Sequence, residues 1–160
     1  MSVVLYRVDE RLIHGQVVIG WGSQLLPRRY IVVDDALAES EWERELYRLG
    51  LPENAEAEFV DVARAVERLP TWQEDEVRSV LLTRDVETMT KLAEAELLEG
   101  RTVNLGGIHH APGRTRVCPY VSLDDADRSR LQRLHELGVT VTARDLPGAV
   151  RVTLDTLLKE

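Results

Sequence analysis

Short β-branched apolar runs alternate along this chain with longer segments whose apolar residues recur at helical spacing. That alternation restricts the fold more than any other feature of the sequence. The runs Val3-Val4-Leu5-Tyr6, Tyr30 to Val33, Phe59-Val60, Val77 to Leu82, Val103 to Leu105 and Val139 to Val141 read as strands. Leu37 to Leu49, Val86 to Leu98 and Leu123 to Leu137 carry apolar residues on one face and charges on the others, and read as amphipathic helices. Strands that are apolar almost throughout are buried on both sides, and parallel neighbours need a crossover between them. The sequence therefore predicts an α/β fold, an open, mostly parallel central sheet with helices on both faces. Ser122 with Asp124 and Asp125 marks a helix start, and Gly50, Gly100 and Gly138 follow helical runs where a left-handed cap is favoured.

A length of 160 residues suits one compact domain, expected to span 1–160. Hydrophobic residues at 44% and charged residues at 30% fit a folded globular chain rather than a disordered one. No repeat or linker interrupts the pattern, and the longest loop runs from Gly106 to Pro119, with turns expected at Gly106-Gly107 and Pro112-Gly113. A formal charge of -8 sets the whole-molecule field against phosphate backbones and argues against nucleic-acid binding. The first apolar run meets Arg7, Asp9, Glu10 and Arg11 too soon for a signal peptide or a spanning helix, so the chain reads as soluble and cytoplasmic. A single Cys118 excludes an internal disulfide framework and reads as a small buried side chain.

In an open parallel sheet, ligands bind beyond the carboxyl ends of the strands. The first strand delivers the chain into Arg7-Val8-Asp9-Glu10-Arg11-Leu12-Ile13-His14-Gly15-Gln16, the densest polar segment near any strand end. The run Gln16 to Trp21 reads as a helix start, so His14 falls at a strand-to-helix turn whose backbone N–H groups favour an anion. The residue types suit phosphoryl transfer. An imidazole nitrogen serves as nucleophile, Arg7 and Arg11 balance phosphate charge, Asp9 or Glu10 orients the ring, and Gly15 lets the backbone approach a phosphate. Phosphoryl transfer asks mostly for positioning and charge stabilisation, so no metal and no cofactor are expected. On spacing alone, His14 as the base of a hydrolase stands beside this reading.

The segment Asp9-Glu10-Arg11-Leu12-Ile13-His14-Gly15-Gln16-Val17 resembles the active-site loop of the mannose/fructose/sorbose family of phosphotransferase-system (PTS) EIIB subunits. The resemblance extends to Ile31-Val32-Val33-Asp34-Asp35, to Asn104-Leu105-Gly106-Gly107-Ile108-His109, and to Gly113 to Val121. It implies a protein-N(pi)-phosphohistidine–sugar phosphotransferase. A phosphoryl group arrives from an EIIA partner, rests on Nδ1 of His14 beside Arg11, and passes to a sugar moved by membrane EIIC and EIID subunits. Peripheral association with those subunits follows, and self-association is compatible with it. A regulatory phosphoprotein, phosphorylated at His14 without sugar transport, is the alternative on the same scaffold. Two positions depart from the family pattern: Glu10 stands where a second Asp is common, and Ile19-Gly20-Trp21 replaces a common Thr-Arg-Trp.

Other residues carry two readings each. Thr83 and Arg84 follow the fourth apolar run, where Thr83 offers a hydroxyl to a phosphate or caps a helix and Arg84 reads as a surface residue. His109 either reaches the phosphoryl site or is a solvated loop residue, and its extended neighbour His110 points away from it, a poor chelating geometry. His135 reads as exposed on a charged helix. Trp21, Trp42 and Trp72 read as core or interface residues, and Arg114 and Arg116 as exposed charges or contacts for an acidic partner.

Overall fold

The computed structural model describes residues 2–159. Its strands are β1 (Val3–Val8), β2 (Arg29–Val33), β3 (Glu56–Val60), β4 (Ser79–Thr83), β5 (Thr102–Leu105), β6 (Thr115–Cys118), β7 (Val121–Leu123), β8 (Thr140–Ala143) and β9 (Val152–Thr153). A π-helical segment, Gln16–Trp21, runs into helix α1 (Gly22–Leu25). It is followed by α2 (Asp35–Ala38), α3 (Glu41–Arg48), α4 (Val62–Glu74), α5 (Val86–Glu94), α6 (Asp125–Glu136) and α7 (Leu154–Leu157). Seven strands form the central sheet in the order β3-β2-β4-β1-β5-β8-β9, all parallel except β9 against β8. This is the expected α/β class.

The pleat sends alternate residues to opposite faces. Val8, Ile31, Val33, Leu81, Val103 and Leu105 pack with α4, α5 and α6 in one core. Leu5, Tyr30, Val32, Val80 and Leu82 pack with Leu12, Val17, Trp21 and Leu37 in a second, which contains no residue of β5 or β8. On that second face, Arg7 is in register with Asn104 and Asn104 with Thr142, so a polar row crosses β1, β5 and β8. After β1 the chain turns toward β2 on one side, and after β5 toward β8 on the other. The carboxyl ends of β1 and β5 therefore flank a crevice at the point where the strand order reverses.

The structure corrects several expectations. The helix expected over Leu37 to Leu49 breaks at Glu39 and Ser40 into α2 and α3, because Asp34 caps the first piece and Ser40 starts the second. The α3 piece buries nothing, so Trp42 is 68% exposed, whereas Trp21 and Trp72 are core residues. The helix expected from Leu123 begins at Asp125 with Asp124 as its cap, and Ser122 and Leu123 belong to β7. Gly100 and Gly138 take left-handed backbone angles, but Gly50 is absent from the positive-φ residues. Cys118 is half-buried against the first core rather than fully enclosed. Helix α4, which runs through Pro70, the β6–β7 hairpin and β9 were not foreseen. Among the described residues no helix is long and apolar enough to cross a membrane.

Candidate active site

The segment that leaves β1 is held between the ends of its two neighbours. The Asp9 N–H donates to the Thr83 carbonyl at the end of β4 (2.9 Å), and the Glu10 N–H donates to the Gly107 carbonyl just past β5 (2.8 Å). The Leu12 N–H turns back to the Asp9 carbonyl, and Leu12 adopts a left-handed backbone (φ 55°) that a side chain normally avoids. Complete burial of Leu12 in the second core offsets that strain and fixes the turn. The next residues bring His14 to the start of the π-helical segment, where its carbonyl accepts from Val17 and Val18.

The Asp9 carboxylate is inaccessible to solvent and is the hub of the site. Its Oδ2 accepts from Arg7 Nη2 (3.1 Å) and faces His14 Nε2 at 3.1 Å, while its Oδ1 accepts from the Arg11 N–H (3.0 Å) and Arg11 Nε (3.1 Å). Burial alone would raise the pKa of Asp9. The hydrogen bonds from His14 and Arg11 and the charge of Arg7 outweigh burial and hold it well below the usual carboxylate range. Asp9 is thus an ionised, acceptor-only group, and the His14 nitrogen facing it must carry the proton. The His14 ring is 18% exposed, so the site is recessed but open.

Arg7, expected to balance phosphate charge, does something else. It is fully buried and is consumed by Asp9, the Asn104 side chain, Gln16 Oε1 (3.0 Å) and the backbone carbonyls of Arg144 (2.9 Å) and Asp145 (3.3 Å). Its guanidinium also lies 5.4 Å from the Trp21 ring centroid. Arg7 therefore braces Asp9 and has no face left for a ligand. Arg11 is the available cation, with its side chain 38% exposed beside His14's partner. The Thr83 side chain corrects both of its readings. It is buried and donates to the Asp85 carbonyl (2.8 Å), while Asp85 itself caps α5. Gly15 is exposed, and a Cβ there would meet nothing within 4 Å.

Gly106 and Gly107 are needed for contact rather than for torsional freedom. A Cβ on Gly106 would collide with the Arg7 guanidinium and stand 2.5 Å from Asp9 Oδ2, and one on Gly107 would stand 2.9 Å from Arg11 Nη2. Gln16 was not singled out in the sequence, yet its Oε1 bridges Arg7 and Arg11 (2.9 Å to the latter). Asn104 was missed as well, although a lone amide between Val103 and Leu105 in an apolar strand was its signal. Glu10 forms a second, outer cluster, accepting from Arg114 (2.8 Å) and pairing with His109 Nδ1 (2.8 Å). Burial works to raise the Glu10 pKa, but the bonds from Arg114 and His109 leave it lowered. His109 is thus an exposed ring tied to Glu10 rather than a group turned toward His14's carboxylate. Arg84 pairs loosely with Asp34 (3.5 Å), and His110, Arg116 and His135 are exposed.

Residues 3–160 match the family described as the PTS system sorbose subfamily IIB component. The chain belongs to that family. Among its relatives is the PTS system fructose-specific EIIB component of Bacillus subtilis, 31% identical over 148 residues, 92% of this chain and 90% of that one. The PTS system mannose-specific EIIAB component of Escherichia coli is 30% identical over 159 residues, 99% of this chain and 47% of the larger protein. Among solved structures, the IIBSor domain of the sorbose permease from Klebsiella pneumoniae superposes with a TM-score of 0.87 at 28% identity, covering 98% of this chain and 96% of that domain. This IIB chain is a sugar-specific PTS component by family and carries the family's mostly parallel sheet.

Proposed function

We propose that residues 1–160 form a single EIIB phosphocarrier domain in which His14 accepts a phosphoryl group on Nδ1 from EIIA and passes it to a sugar. The observation that carries this reading is the His14 Nε2 contact with Asp9 Oδ2. Because ionised Asp9 can only accept, Nε2 keeps the ring proton and Nδ1 keeps the lone pair in the neutral imidazole. Nδ1 attacks phosphorus as the bond to the donor breaks, and the positive charge left on the ring lies against the Asp9 carboxylate. Arg11, anchored by Asp9 and Gln16, supplies a guanidinium for the phosphoryl oxygens. On onward transfer the N–P bond breaks, its electrons return to Nδ1, and the sugar hydroxyl oxygen bonds to phosphorus as its proton is lost to water. The protein acts as a protein-N(pi)-phosphohistidine–sugar phosphotransferase. It works in the cytoplasm and docks peripherally on EIIC and EIID membrane subunits.

Two features support the partner assignment. The mannose-specific relative is by name an EIIAB component, which puts both functions in one chain, and the site here is recessed yet open, as serial docking requires. The test is incubation with phosphoenolpyruvate, the general PTS proteins and a cognate EIIA, followed by mass analysis. An acid-labile phosphoryl group on His14, absent from a His14→Ala variant, is expected. Its absence from the unaltered chain contradicts the proposal.

A further inference from the structure

The sheet face that carries Arg7 is covered by helix on one half only, and the open half forms a groove of ≈ 370 Å³. Thr102, Asn104 and Thr142 lie along it, Trp21 borders it, and Arg144 and Arg151 line it together with Arg101. None of the described lining residues is acidic, in a chain whose formal charge is -8. The groove is separate from the phosphoryl site, since Asp9, Arg11 and His14 do not line it.

The Arg144 guanidinium is fixed 5.0 Å from the Trp21 ring centroid and donates to the Pro147 carbonyl (2.8 Å). Burial lowers its pKa, and the like charge of Arg151 lowers it further. Two cations lining one groove, with no carboxylate among the described lining residues, are relieved by an anion. The space exceeds what a phosphate ion alone fills and falls within the size range of small-molecule sites. Hydroxyl and amide side chains in its lining are suited to hydroxyl groups on the rest of a ligand.

From this juxtaposition of Arg144 and Arg151 with Thr102, Asn104 and Thr142, we propose that the groove binds a small polyhydroxylated phosphate monoester of sugar-phosphate size. The two guanidiniums take the phosphate and the polar row takes the hydroxyls. Asn104 and Trp21 both also contact Arg7, so an occupant adjoins the brace behind Asp9 without touching His14.

Isothermal titration calorimetry of the full chain with a hexose 6-phosphate, with inorganic phosphate and with the free hexose tests this. The ester is expected to bind, inorganic phosphate to bind at least threefold more weakly, and the free hexose not to bind. Arg151 is exposed and bears on no core contact, so Arg151→Glu preserves the fold, checked by circular dichroism, and is expected to weaken ester binding at least tenfold. Arg11→Ala leaves ester binding unchanged if the groove is the site. Three results overturn the proposal: no heat with the ester, an affinity indifferent to Arg151→Glu, or an affinity lost in Arg11→Ala, which places the ester at the phosphoryl site. Inorganic phosphate binding as tightly as the ester overturns the assignment of the polar row.

Discussion

The four parallel strands of this sheet that lead into a helix, β1 to β4, each run out into an aspartate, and the first puts it to a different use from the other three. Asp34, Asp61 and Asp85, beyond β2, β3 and β4, each accept a backbone N–H from the first turn of the following helix: Leu37 (2.9 Å), Arg64 (2.7 Å) and Thr88 (2.7 Å). These carboxylates satisfy donors that a helix start leaves without intrahelical partners. Asp9, beyond β1, caps nothing. The next helical residue is Gln16, and Gly15 in the cap position contributes no side-chain bond. Asp9 instead accepts from two guanidiniums and an imidazole. The intervening loop makes the difference. Where a strand passes directly into a helix the carboxylate is used for capping, and where residues 9–15 intervene it is left to gather the side chains of Arg7, Arg11 and His14.

Substitutions that treat the strand ends alike should therefore give unlike results. The largest effect is expected from Arg7→Met, which leaves Asp9 buried without its inner partner. A loss of about 3–5 kcal/mol in unfolding free energy is expected from urea titration, whereas a loss under 1 kcal/mol places little of the site's stability in Arg7. Asp9→Asn removes the obligatory acceptor that fixes the His14 tautomer. Single-turnover phosphorylation by EIIA is expected to slow by about 10²-fold or more, with stability changed much less than by Arg7→Met. An unchanged rate would make Asp9 a scaffold residue like its three counterparts. Gly106→Ala forces a methyl group against Arg7 and Asp9 and is expected to cost about 1–3 kcal/mol and to slow transfer as well, measured in the same two assays. The smallest effect belongs to Asp85→Ala, a lost cap worth about 1 kcal/mol with no change in transfer rate. A transfer defect there would erase the distinction between the two kinds of strand end.

Much of the fold was legible because burial on both sheet faces leaves a direct mark in sequence. The six short apolar runs became strands of one sheet, with ends shifted by a few residues. Helix α4 was hidden because Pro70 reads as a breaker, although Ala65, Leu69 and Trp72 recur on its buried face. Helix α3 misled in the opposite way. Its apolar stripe of Trp42, Leu46 and Leu49 has helical spacing but stays exposed, since period reports a face and not what covers it. In the site, Asp9, Arg11 and His14 lie within six residues of one another and could be read as a group. Asn104 and the carbonyls of Arg144 and Asp145 reach Arg7 from 97, 137 and 138 positions away, separations at which no local pattern survives. The sequence offers Arg7 to a phosphate for that reason, since a loop arginine and a buried brace look alike until its partners are known.

The role given to Asp9 depends on which ring nitrogen of His14 carries the phosphoryl group. Proton-detected ¹⁵N correlation spectra of the chain labelled at histidine, recorded before and after phosphorylation by EIIA, read this directly. The neutral ring of unphosphorylated His14 is expected to carry its proton on Nε2 and not on Nδ1, and the phosphorus coupling is then expected on Nδ1 with Nε2 still protonated. A phosphorus coupling on Nε2, or a neutral free ring with its proton on Nδ1 instead of Nε2, would contradict the Asp9 clamp as the source of the site's nucleophile.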